Sequence, residues 1–187
     1  MRNRHTFGGD MTAQAATGTP MDQAMQAQFR DLFEGHRKIV FKVANTYART
    51  PEDRADLAQE IVAQGWRAFA KYDPARAFST WLYRIALNVA ISFVRGAAHR
   101  DRHSVALDEA LHDVAGDAEP ETDERVRALY RFIDQLDALD RALLLLYLEE
   151  RSYREIADIL GISETNVATK ISRLKQRIRA DMAADHS

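Results

Sequence analysis

The sequence predicts an all-α protein of two small helical domains joined by a flexible acidic linker. Apolar residues recur at helical spacing in one stretch after another, with no strand-like alternation and no internal repeat. The periodicity fades between Ala97 and Asp123, where acids accumulate and where Gly116 to Pro120 would break a short helix begun around Val105 to Val114. Helix-start signals stand where several of the periodic stretches begin.

In chain order, residues 1–24 are rich in Gly, Ala, Thr and Gln with little to bury, which predicts a disordered tail; Met11 or Met21 is an alternative start. Phe29, Leu32, Phe33, His36, Val40, Val43 and Tyr47 then form the stripe of a first amphipathic helix, with His36 a satisfied core histidine rather than a ligand. Thr50-Pro51-Glu52-Asp53 supplies a cap, a proline at the first helical position and acids in the first turn. The helix that follows buries Leu57, Ile61, Val62, Trp66 and Phe69 and leaves Asp56, Gln59, Glu60 and Gln64 off the stripe as a polar, largely acidic surface. Gly65 in its interior costs roughly 1 kcal/mol relative to Ala, which suggests close helix packing there. Residues 71–77 form a loop, because Pro74 pushes Asp73 out of helical geometry. A third helix, entered through Ser79 and Thr80, has Phe78, Leu82, Ile85, Val89 and Phe93 on its stripe and Arg84, Asn88, Ser92 and Arg95 beside it. Residues 25–98 thus form a first domain, followed by a linker at 99–122.

The second domain, residues 123–184, opens with Val126, Leu129, Phe132, Ile133 and Leu136 at helical spacing. Asp137-Ala138-Leu139-Asp140 starts another helix, carrying Leu143, Leu144, Leu146 and Tyr147. Ser152-Tyr153-Arg154-Glu155 has the form of a capping box, and Gly161 stands where a residue free to take positive φ ends a helix. Ile162 plugs the turn, and Ser163 caps a last helix with Val167, Ile171, Leu174 and Ile178 on one stripe. Its other face carries Thr165, Asn166, Thr169, Lys170, Ser172, Arg173, Lys175, Arg177 and Arg179. Small polar groups first and cations later suit a DNA-binding helix-turn-helix that inserts its first turns in a major groove and grips flanking phosphates.

The formal net charge of −2 hides a segregation. Asp108, Glu109, Asp113, Asp117, Glu119, Glu121, Asp123 and Glu124 have no Lys or Arg among them, so the rest of the chain is cationic, notably at Arg84 to Arg102 and in the last helix. The lack of cysteine excludes disulfides and thiolate metal sites and makes a reducing cytoplasm the natural setting. No apolar run is long enough for membrane insertion. A carboxylate-bridged metal pair in a helical bundle would use two Glu-x-x-His motifs, which the chain does not supply. His99, His103 and His112 lie in or beside the linker, and neither a metal, a cofactor nor catalysis is expected.

Asp56-Leu57-Ala58-Gln59-Glu60, Trp66, the run Phe78-Ser79-Thr80-Trp81-Leu82-Tyr83-Arg84-Ile85-Ala86 with Asn88 and Arg95, then Tyr153-Arg154-Glu155-Ile156-Ala157 and Gly161-Ile162-Ser163 together resemble the extracytoplasmic-function (ECF) sigma factors. These small bacterial initiation factors have only sigma regions 2 and 4. The resemblance implies that Asp56, Gln59 and Glu60 dock on core RNA polymerase, at the β′ clamp helices, with the β subunit also a partner. It implies that Tyr72 to Ser79 and the helix from Thr80 to Arg95 engage the −10 element of promoter DNA. Tyr72, Phe78, Trp81 and Tyr83 are the aromatic candidates there, helical periodicity placing Phe78 in the core, with Ser79, Thr80, Arg84, Asn88 and Arg95 as contacts. The −35 element falls to Thr165, Asn166, Thr169, Lys170, Ser172 and Arg173, with Arg177 on phosphates, and an anti-sigma factor is an implied partner. The chain departs from the family pattern at Ala168, where a basic residue is frequent, at Ser92, where an acid is frequent, and at Gln64-Gly65, where Arg-Ala is usual. The competing reading is a helix-turn-helix regulator that binds DNA without being a polymerase subunit.

Overall fold

The structure is a computed structural model that describes residues 20–103, 132–133 and 135–184. Six helices follow in order: α1 (Pro20–Tyr47), α2 (Pro51–Phe69), α3 (Phe78–His103), α4 (Ala138–Leu148), α5 (Tyr153–Leu160) and α6 (Glu164–Ala184). There is no strand among the described residues. Residues 1–19, the acidic block, the possible helix at Val105 to Val114 and all but residues 132 and 133 of the stretch from Val126 to Ile133 lie outside the described part.

The caps fall where local chemistry puts them. The Thr50 hydroxyl accepts a bond from the Asp53 amide at 3.0 Å, and Pro51 occupies the first turn of α2. Asp137 accepts from the Asp140 amide at 2.8 Å to start α4. Two boundaries differ from expectation. α1 already begins at Pro20, inside the expected tail, and α3 continues to His103, inside the expected linker. Gln23 and Ala24 are exposed, and residues of their helix propensity need no buried stripe to stay helical. Periodicity detects only the buried part of a helix.

α1, α2 and α3 pack against one another around Val40, Val43, Leu57, Ile61, Leu82 and Leu87, all close to fully buried. One end of this bundle is aromatic: Phe29 lies 5.7 Å from Phe33, 5.5 Å from Trp66 and 5.1 Å from Phe69, ring centre to ring centre. Gly65 is buried beside this cluster, yet a methyl group there would meet the Phe29 ring at 3.6 Å, an ordinary contact. The close approach expected from its sequence position is therefore not required at Gly65. His36 is half-buried as expected, its Nδ1 donating to the Leu32 carbonyl at 2.8 Å and its ring 5.2 Å from Phe78.

α4, α5 and α6 share a second, mainly aliphatic core of Leu143, Leu146, Ile156, Val167, Ile171 and Leu174. This unit rests on the first: α4 and α5 pack on α3, and α4 also touches α1. The seam is polar at several points. The Lys42 ammonium pairs with the Glu149 carboxylate, the Arg84 guanidinium donates to the Asp158 carbonyl, and the Tyr47 hydroxyl donates to the Ala138 carbonyl at 2.6 Å. Burial pushes the Tyr47 phenol well above its ordinary range, so it stays a neutral donor.

Candidate functional site

The C-terminal motif is built as a helix-turn-helix by its own short-range chemistry. Ser152 accepts from the Glu155 amide, and the Glu155 carboxylate accepts from the Ser152 amide at 2.9 Å, closing the capping box that begins α5. Those bonds hold the Glu155 carboxyl below its ordinary range. Gly161 ends α5 with φ +69°, a conformation costly for residues with a side chain. Its amide and that of Ile162 both donate to the Ala157 carbonyl, at 2.8 and 3.2 Å, folding the chain sharply into the half-buried Ile162. Ser163 then caps α6 by accepting from the Asn166 amide at 3.2 Å.

Val167, Ile171 and Leu174 are buried under α6, while Thr165, Asn166, Thr169, Ser172 and Arg173 are exposed along its outer side. The cations divide into two groups. Lys170 and Arg177, seven residues apart and so on one face, border the buried stripe. Both reach the same carboxylate, that of Asp140 at the start of α4, at 3.1 and 3.7 Å. Arg177 also stands 5.7 Å from the Phe132 ring centre, and Lys175, on the other border, 4.4 Å from that of Tyr147. Arg173 and Arg179 have no ion-pair or ring partner among the described residues.

On the first unit, Asp56, Gln59 and Glu60 lie exposed along one side of α2, as positions three and four apart must. The Glu60 carboxylate accepts from the Gln64 side-chain Nε2 at 2.8 Å and has Arg67 at 3.8 Å. A shallow groove between α2 and α3, about 410 Å³, is lined by Glu60, Gln64, Asn88, Val89, Ser92 and Phe93. In the loop ahead of α3, Asp73 accepts from the Ala75 amide at 2.9 Å and the Tyr72 hydroxyl donates to the Arg76 carbonyl at 2.7 Å. The Tyr72 ring lies 5.6 Å from Phe69, 5.4 Å from Phe78 and 5.2 Å from Trp81. Tyr72 and Trp81 are half-buried, as are Ser79 and Thr80, whereas Arg84, Asn88 and Arg95 are exposed.

Residues 32–100 match the Sigma-70 region 2 family and residues 126–178 match the Sigma-70, region 4 family. The RNA polymerase sigma factor CnrH of Cupriavidus metallidurans is 30% identical, over 94% of this chain and 94% of its own. The chain belongs to the ECF sigma factors of the sigma-70 family. SigE of Mycolicibacterium smegmatis, an ECF RNA polymerase sigma factor, is 32% identical over 92% of the chain, which spans 66% of the length of SigE. The fold is that of CnrH in complex with the cytosolic domain of CnrY, at a TM-score of 0.63 and 24% identity over 88% of this chain and 95% of that one. It is also that of the sigma factor RpoE in complex with the anti-sigma factor NepR from Bartonella quintana, at 0.60 and 17% over 87% and 99%.

In this sigma factor the residues around the two matched regions are not all where the sequence suggests. Phe78 is buried, as its position on the helical stripe implies. Tyr83, grouped in sequence with the DNA-facing aromatics, is 1% exposed and turned into the seam. Its hydroxyl is 3.4 Å from Glu149, Arg151 sits 5.3 Å from its ring centre, and burial, with Glu149 next, raises the phenol to about 12. It is a packing residue here. The pairings of Asp140 with Lys170 and of Glu149 with Lys42 carry no signal in sequence, since the partners lie 30 or more positions apart. No group of His, Asp or Glu among the described residues is arranged to hold a metal ion, and no helix there is long and apolar enough to cross a membrane.

Proposed function

We propose that this sigma factor is a dissociable RNA polymerase subunit that brings core enzyme to a −10/−35 promoter and helps open the DNA, with no catalysis of its own. The observation that carries the reading is the pairing of both sigma regions in one chain, in order, with an exposed helix-turn-helix face in the second. Asp56, Gln59 and Glu60 offer acceptors to the β′ clamp helices, while the β subunit is the other contact. Arg84, Asn88 and Arg95 provide exposed polar and cationic groups for the strand at −10, beside Ser79, Thr80 and the half-buried rings of Tyr72 and Trp81. Stacking on such rings and phosphate contacts together offset the cost of unpairing bases. Thr165, Asn166, Thr169, Lys170, Ser172, Arg173 and Arg177 serve the −35 duplex through base edges and phosphates.

An anti-sigma factor is the natural regulator, because both structural relatives were solved in complexes, one of them with a protein of that kind. Such a partner would cover the faces that polymerase or promoter needs, and the cytoplasm is where all of these would meet. Run-off transcription with core polymerase on the DNA upstream of the chain's own gene and on a genomic promoter library tests the proposal. Specific transcripts that depend on the added protein are expected. Transcription unchanged on every promoter, together with tight promoter binding by the protein alone at physiological salt, would favour the free-standing regulator.

A further inference from the structure

The cations of α6 do not form one uniform basic face. Thr165, Asn166, Thr169, Ser172 and Arg173 look outward, whereas the half-buried Lys170 and the exposed Arg177 both reach a single acid from another helix. Asp140 is well placed to hold both. Its side chain is only 16% exposed, its backbone is fixed in the first turn of α4 by the Asp137 cap, and its two oxygens point to different partners, Oδ1 to Lys170 and Oδ2 to Arg177. A negative charge there is further favoured by the α4 dipole.

We propose that Asp140 is a positioning residue that sets the discrimination of the −35 helix by withholding two cations from phosphate, an inference that rests on the DNA-reading role assigned to α6 above. Non-specific binding is almost wholly a phosphate effect and grows with each free cation, whereas sequence is read by groups that face base edges. Tying Lys170 and Arg177 to Asp140 lowers attraction to any duplex. A correct duplex, seated by Thr165, Asn166, Thr169, Ser172 and Arg173, brings phosphates close enough to compete for the two cations. Wrong DNA meets a helix with fewer charges to offer.

The test uses the full-length chain in fluorescence-anisotropy titrations on a random-sequence duplex, across potassium chloride from about 50 to 200 mM, where phosphate contacts dominate affinity. Asp140→Asn is expected to bind roughly three- to tenfold more tightly at low salt, the range set by two ion pairs that share one half-buried carboxylate. Its dependence of log affinity on log salt should steepen by about 0.9 for each cation released. Glu150→Gln makes the same change in net charge at an exposed acid outside these pairs, and should alter the slope little. In a Lys170→Ala, Arg177→Ala background the Asp140→Asn gain should vanish. Equal effects of Asp140→Asn and Glu150→Gln, a gain that persists without the two cations, or no gain at all, overturn the proposal.

A second comparison leaves Asp140 untouched and so guards against a variant that folds poorly. Lys170→Gln should flatten the salt slope by less than half as much as Arg173→Gln, and equal losses overturn the proposal. Run-off transcription by the unaltered chain separates this from the parent reading. Its failure removes the initiation-factor role while the duplex comparisons still decide what Asp140 does. Its success with flat comparisons removes only the role of Asp140.

Discussion

The acidic side of α2 and the basic side of α6 are both exposed helix faces expected to meet large partners, but they are built in opposite ways. Asp56 and Gln59 stand in water with no side-chain partner among the described residues, and Glu60 is touched only by neighbours on its own helix. Three α6 cations, Lys170, Lys175 and Arg177, are engaged by side chains from outside their helix. A protein partner presents one shape, so a ready set of acceptors suffices. DNA presents the same phosphates everywhere, so a helix that must discriminate gains by keeping some cations occupied.

The largest effect that could break this contrast lies on α2. Asp56→Ala combined with Gln59→Ala should weaken binding to core polymerase about thirtyfold, as for central side chains worth about 2 kcal/mol at an interface. Duplex binding should stay unchanged. A fluorescence titration with core enzyme reads this, and an unaltered affinity would make the acidic face mere solvated surface. A smaller effect lies in α5, where Ser152→Ala should cost about 1 kcal/mol of stability in urea unfolding. The same cap gives the second unit an acid sensitivity. Glu155 has a folded-state pKa below its ordinary 4.5, so its contribution is full above that value and fades as pH falls through the lower, folded one. Glu155→Gln should remove that part of the acid dependence.

The smallest effect has the opposite sign. Gly65→Ala should stabilise the first unit by about 0.5–1 kcal/mol, because it removes the helical penalty of glycine and the added methyl meets Phe29 at an ordinary distance. Thermal and urea unfolding would show it. A loss instead would mean that α1 and α2 approach more tightly than the Phe29 contact indicates.

What was legible in the sequence was whatever is decided within a few residues. The caps at Thr50, Asp137 and Ser152 and the left-handed Gly161 are contacts of three or four positions, and each stands where its residue type predicts. The stripes of α2 and α6 were equally readable at Leu57, Ile61, Val167 and Ile171, but on α3 the expected Ile85, Val89 and Phe93 are only half-buried while Ala86, Leu87 and Ala90 fill the core. The helix ends at Pro20 and His103 were not readable, since they lie beyond the periodic apolar stripes. The site was legible as residue types and exposure, but not as pairings. Nothing near Tyr83 announces Glu149, 66 positions on, and nothing near Lys170 announces Asp140.

Arg84 reaching the Asp158 carbonyl also sets a length scale. It holds a residue proposed for −10 DNA in touch with the first helix of the −35 reader. The centres of those elements lie about 25 base pairs apart, roughly 85 Å of duplex at 3.4 Å per step. On the promoter reading the seam must part before one duplex can occupy both units. The ion pair at Lys42 and the bonds of Arg84 and Tyr47 are then the catch of a folded ruler, released when polymerase and promoter together fix its ends.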